Sequence, residues 1–349
     1  MSGALRIISP SGAAYRGASG VFGPPPNPEW LPLGTGANGA VVDLCEYDGG
    51  LVVVGSFTSI GGVTTTGVGF WDGSWHDVGG GIDSSLQSAT CCAVYGGNLY
   101  VGGVFTSIGG TSANYIARFD GTDWHAMGSG LSDVPYRMIV FDGKLIVCGQ
   151  FFDAGGSFAF AVAAWNGSSW SDYSTNNGML PLTDLALYGS TIAMSGGAGS
   201  GHMTQVWSGT QWDEIGSLAG AGSQFGVQEY ASELYIAGDM GSITPPPETV
   251  SVGSLAKYAS GTWSAVGSFN NAANCLTVWN SKLIIGGAFT NVGPAVAQFN
   301  GTSVSGMGAG FNSTVHKLGK YGSLLVAVGS FTASGSTSIN RVGYWSVPE

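Results

Sequence analysis

The segment LVVVGSFTSIGG at 51–62 returns as LYVGGVFTSIGG at 99–110, LIVCGQFFDAGG at 145–156, LIIGGAFTNVGP at 283–294 and LVAVGSFTASG at 325–335. Such self-similarity restricts a chain to stacked or ring-shaped repeat architectures, because each unit can bury its apolar face only against a neighbour. Weaker copies begin at Thr191 and Leu234, and a short way upstream of each copy stands an aromatic anchor: Tyr47, Tyr95, Phe141, Tyr188, Tyr230, Trp279 and Tyr321. The anchors recur about every 46 residues, a period that suits four short strands and their turns.

Turn residues such as Asp48-Gly49, Gly96-Gly97 and Asp142-Gly143 separate the anchor from its copy. They tolerate the positive φ of a two-residue hairpin, so the first two strands of a unit are antiparallel neighbours. A third strand ends in an aromatic residue followed by a turn (VGFWDGS at 68–74, IARFDGT at 116–122), and a fourth starts at once (WHDVGGG at 75, WHAMGSG at 124). Seven third strands are followed by only six fourth strands. The missing one is WLPLGTG at 30–36, which precedes the first full unit. Pairing it with the last unit removes the unpaired edges at the two chain ends. The expectation is an all-β chain: a seven-bladed β-propeller of four-stranded blades over residues 29–349. Strand 30–36 would close the ring on the blade built from 314–346. A solenoid would need distinct caps and would not split one repeat between the termini.

The phrase LYVGGVFTSIGG…YIARFDGTDWHAMGSGL at 99–131 resembles the repeats of kelch-like, galactose-oxidase-type propellers, and the repeat pattern spans 30–349. The resemblance implies a fold and says little of activity. The copies around 197 and 240 depart from it, so irregular geometry is expected in blades 4 and 5. Galactose-oxidase-like enzymes hold copper with tyrosine and histidine. Here His76 and His125 fill the same slot of outermost strands, and His202 and His316 lie in different blades with no Cys or His nearby. No metal and no cofactor are expected. Nucleophile-elbow, phosphate-loop, zinc-protease and calcium-loop motifs are absent. Carboxylate pairs drawn from separate blades leave glycoside hydrolysis open.

Charge narrows the partners. With 21 acidic against 10 basic residues the net charge is −11, which repels a phosphate backbone, so nucleic acid is not an expected partner. No stretch approaches the roughly 20 apolar residues of a membrane span, and MSGALRIISPSG lacks the apolar run of an export leader. Cys45, Cys91, Cys92, Cys148 and Cys275 have no metal-ligand spacing and read as buried hydrophobes. Richness in Gly, Ser, Thr and Trp with few basic residues suits an exposed extracellular protein. Without an export leader, that composition points to a virus particle. The expected function is therefore a non-catalytic structural and recognition propeller of a virion, phage tail or capsid-associated. It would dock to neighbouring subunits through an extended arm of residues 1–28 and bind a host-surface glycan or protein. A secreted or cell-surface glycan-binding propeller is the alternative, and a carbohydrate-active enzyme the third reading.

Two sets of candidate residues follow from strand alternation. Four residues before each anchor stand Asp43, Cys91, Arg137, Asp184, Gly226, Cys275 and Lys317, expected to face the central channel, with the apolar residue after each lying between blades. Arg137 with Asp184, and Lys317 with Asp43 across the ring closure, are expected to be structural ion pairs. The second set lies on the longer loops between second and third strands. Phe152, Phe158 and Phe160 stand in blade 3, and His202 and Met203 in blade 4. Exposed aromatics there could stack on sugars, anchor a protein, or plug the blade core.

Overall fold

The computed structural model describes residues 28–84, 86–173, 181–197, 202–219, 226–244 and 249–346. Each hydrophobic second strand, such as Gly50–Gly55 and Lys144–Gly149, is nearly wholly buried and pairs on one side with the innermost strand and on the other with the third. Seven such sheets form, each with four strands in the order innermost, second, third, outermost, and the chain is a seven-bladed β-propeller. The innermost strands are Val41–Tyr47, Ser88–Tyr95, Pro135–Phe141, Leu182–Tyr188, Gly226–Tyr230, Ala273–Trp279 and Val315–Tyr321, in blades 1 to 7.

Ring closure follows the split repeat. Trp30–Pro32 is the outermost strand of blade 7, antiparallel to Val342–Trp345, with Trp30 opposite Trp345 and Pro32 opposite Gly343. It is shorter than the 30–36 expected. Pro32 is tolerated because this is an edge strand, and the contact continues past it through Leu33 N–H to Val342 O and Ala37 N–H to Asn340 O. The expected arm over residues 1–28 lies outside the described residues, apart from Pro28.

Neighbouring blades are stitched by a repeated device. The indole N–H that opens an outermost strand donates to a carbonyl of the preceding blade: Trp75 to Leu33, Trp124 to Val78, Trp170 to Met127, Trp212 to Tyr173, Trp263 to Ile215 and Trp30 to Met307, at 2.7–3.3 Å. Blade 6 has Val304 in that slot, and its junction with blade 5 is bonded instead by the Tyr230 hydroxyl to Ser281 O at 3.1 Å. Blades 4 and 5 are irregular, as the weak repeats predict. The loop hairpin of blade 5, Ser242–Thr244 with Val250–Ser251, joins the outermost strand Trp212–Ala219 of blade 4 and makes a six-stranded sheet.

Candidate functional site

Six of the seven innermost strands carry a bulge at the same place, between Val41 and Asp43, Ala89 and Cys91, Pro135 and Arg137, Leu182 and Asp184, Ala273 and Cys275, and Val315 and Lys317. One extra residue breaks the period of two and re-aims the side chains around it. In blade 1, Val41 and Leu44 pack towards blade 7 while Cys45 and Tyr47 pack towards blade 2. Five of the expected set, Asp43, Arg137, Asp184, Cys275 and Lys317, line the channel cavity as expected. Asp43, Cys91, Asp184 and Cys275 are buried where the channel wall meets the next blade. The bulged residues include Thr90, Tyr136, Thr183, Asn274 and His316, and they line a channel-mouth cavity of about 400 Å³. Pure alternation missed them. Their signal was apolar spacing of three rather than two across the bulge, as in Val41 to Leu44 and Val315 to Leu318.

Asp43 and Asp184 do the same job in blades 1 and 4. Asp43 Oδ2 accepts the Cys92 N–H of blade 2 at 3.1 Å, and Asp184 Oδ2 accepts the Val227 N–H of blade 5 at 2.9 Å. Arg137 lies between the two carboxylates, with Nη1 3.3 Å from Asp43 Oδ1 and Nε 3.1 Å from Asp184 Oδ1. The pairing of Arg137 with Asp184 is as expected. That of Lys317 with Asp43 is not: Lys317 Nζ lies 4.0 Å from Asp184, and Arg137 takes Asp43. The reason is that Asp43 turns towards blade 2, away from blade 7. Burial alone would push the Arg137 guanidinium down, but Asp43 and then Asp184 hold it above its usual value. Two cations thus face two carboxylates, each of which also accepts a backbone N–H. Both acids are engaged as inter-blade staples.

The rest of the lining holds no Lys, Arg, Asp or Glu and mixes polar side chains with Val42, Ala89 and Pro181. His316 Nε2 lies 2.8 Å from Ser330 Oγ, and burial lowers its pKa below the ordinary 6.5. The Tyr136 hydroxyl donates to Gln150 Oε1 at 3.0 Å, and its pKa is raised by burial and then by Asp133. Gln150 leads into the blade 3 hairpin, Asp153–Ala154 with Ser157–Phe158, which lies on the same face of the ring because loops after second strands and links between blades share one face. There Phe152 is 51% and Phe158 68% exposed, and Phe152 meets Phe160 edge-on at 5.5 Å. Phe160 is half-buried and covers the core between blades 3 and 4.

His202 and Met203 do not belong to this surface. The third strand of blade 4 begins at His202, two residues earlier than the repeat implies, because the eight-residue outermost strand extends its pairing to His202 with Leu218 and Met203 with Ser217. His202 is consequently buried, and Met203 packs on the core that Phe160 covers. His76 and His125 sit in exposed outermost strands, each bonded to the aspartate of its own turn, Asp72 at 2.9 Å and Asp120 at 2.6 Å. Among the described residues no group of three or more His, Cys, Asp or Glu is arranged to hold a metal ion.

Residues 97–123, in blade 2, match the model of a β-propeller domain of unknown function, DUF5122. The solved structure titled "YCF48 bound to D1 peptide" is similar over 92% of this chain and 97% of its own, with a TM-score of 0.58 and 11% identity. The computationally designed Ika8 protein is similar over 90% of this chain and 98% of its own, with a TM-score of 0.54 and 13% identity. At such identities the likeness is one of fold. No curated protein is similar to the chain.

Proposed function

We propose that the protein is a non-enzymatic recognition propeller that holds a protein segment on the face formed by the blade links and second-to-third-strand loops. The contact strip runs from Tyr136 at the channel mouth across Gln150 to Phe152 and Phe158. The observation that carries this reading is the contrast along that strip. The channel charges satisfy one another, whereas Phe152 and Phe158 of blade 3 stay more than half exposed among the described residues. Exposed aromatic clusters are what protein interfaces use as anchors. The peptide bound by the YCF48 propeller lends the reading support from fold alone. The composition further suits a virion protein, phage tail or capsid-associated, with kelch-like repeats, meeting neighbouring subunits and a host surface.

The test is selection from a displayed random-peptide library on the full chain, with counter-screening on a Phe152→Thr/Phe158→Ser variant and parallel probing of a glycan array. Selected peptides should bind the wild type and lose at least about tenfold in affinity on the variant, as loss of a central aromatic anchor does. Binding that is confined to glycans, or that ignores both phenylalanines, overturns the proposal.

A further inference from the structure

The seven repeats supply an internal control for the blade 3 aromatics. Blades 1, 2, 3 and 7 carry the same loop hairpin in the same register, pairing Ser59 with Thr64, Ser107 with Ser112, Asp153 with Phe158 and Ala333 with Ser338. Where blade 3 has Phe152, the other three have Thr58, Thr106 and Thr332. Phe158 stands at the position of Thr64, Ser112 and Ser338, and Phe160 at that of Thr66, Asn114 and Asn340. The backbone forms with polar residues at all three positions. Phe152 and Phe158 are therefore not there for the hairpin, and their exposure argues for an occupant.

Charge and direction select the occupant. The link at 129–136 and the hairpin at 150–161 contain Asp133 and Asp153 but no Lys or Arg. Residues 1–28 are their complement. They contain Arg6 and Arg16, no Asp or Glu, and apolar residues that include Ile7, Tyr15 and Phe22, so residues 29–349 carry −13 beneath a net −11. The closing strand enters at the Trp345 end of the third strand of blade 7, because Trp30 lies opposite Trp345. That third strand starts on the loop face and ends on the other, so residues 1–28 join the ring on the face opposite Phe152 and Phe158.

We infer that residues 1–28 of one copy dock on the Phe152–Phe158 surface of blade 3 in a second copy, joining rings head to tail. The inference rests on the reading of this face as a binding face and names its partner. Because donor and acceptor lie on opposite faces, the contact is heterologous, and its repetition builds a stack or a closed ring instead of a two-fold dimer. The arginines meet Asp133 and Asp153 while the apolar residues cover the phenylalanines.

Sedimentation velocity of the full chain tests it, together with binding of a labelled synthetic peptide of residues 1–28. Two variants are compared: Phe152→Thr/Phe158→Ser, which introduces residues that other blades already hold, and Arg6→Glu/Arg16→Glu, which leaves the ring untouched. The wild type should sediment as concentration-dependent oligomers and both variants as monomers with unchanged melting temperature. The peptide should bind the arginine variant and lose at least about tenfold on the phenylalanine variant. A wild type that stays monomeric, or a peptide that binds both variants equally, overturns the inference. If library-selected peptides use the phenylalanines while the 1–28 peptide does not bind, the arm assignment fails and the binding face stands.

Discussion

Replacing Arg137 by Met tests whether the channel charges hold the ring together. The substitution keeps most of the side-chain volume and removes the guanidinium from two carboxylates whose side chains are 3% and 11% exposed, Asp43 and Asp184. Breaking a buried pair by removing one partner costs about 3–5 kcal/mol, mostly from the charge left behind. The two acids do not suffer equally. Asp184 keeps Lys317 at 4.0 Å and the Val227 N–H, while Asp43 keeps only the Cys92 N–H. At roughly 2.1 cal/mol/K per residue, the 349-residue chain has an unfolding entropy of about 0.7 kcal/mol/K, so the loss translates to a melting temperature lower by about 4–7 °C. Adding Asp43→Asn should recover much of the loss, since the amide oxygen can still accept from Cys92. Circular-dichroism melts of the wild type, the single variant and the double variant measure both effects. A melting temperature lowered by less than about 1 °C, or no recovery with Asp43→Asn, would refute the staple account.

Trp30→Ala removes a fully buried ring that packs on Phe311 and Trp345 and bonds Met307, so stability should fall by about 3–5 kcal/mol, with hydrogen exchange accelerated first in Val342–Trp345; protection of that strand equal to the wild type's would contradict closure by Trp30–Pro32. His316, whose pKa burial lowers below 6.5, contributes stability that is present above that value and lost as pH falls towards its folded pKa, because the unfolded chain takes up the proton first. His316→Gln should therefore flatten the decline in melting temperature between about pH 7 and about pH 5; an unchanged slope would show that the channel mouth does not disfavour the imidazolium.

The ring was legible because its signals are redundant. Seven anchors, five tryptophan-led outermost strands and one displaced copy at Trp30 all demand the same closure, and no single substitution hides it. The channel was less legible because its geometry turns on one residue per strand. A bulge between Val41 and Asp43 lets Asp43, which lines the channel cavity as alternation expects, also reach the Cys92 N–H of blade 2. Alternation alone gave no sign of that reach, and so paired Lys317 with Asp43. In blade 4 the limit was different: His202 lies in a strand only because its neighbour is eight residues long, a tertiary fact that the weak repeat around 197 does not encode.

Repetition also separates what the fold requires from what it permits. An indole N–H reaches back to the preceding blade at six junctions, so a tryptophan in that slot needs no ligand to explain it. The aspartates occur in only two blades, yet each is accounted for by the backbone N–H that it accepts and by Arg137 between them. Phenylalanine at 152 and 158 meets neither condition. It is confined to one blade, it replaces hydroxyl residues that serve the same hairpin elsewhere, and even with Phe152 against Phe160 more than half of each side chain is shown to water. At roughly 25 cal/mol per Å², exposed phenylalanine rings forgo on the order of a few kcal/mol of burial until something covers them. The mutually satisfied charges of the channel offer no comparable gain to a ligand, so the proposed function draws on the blade 3 phenylalanines rather than on the channel.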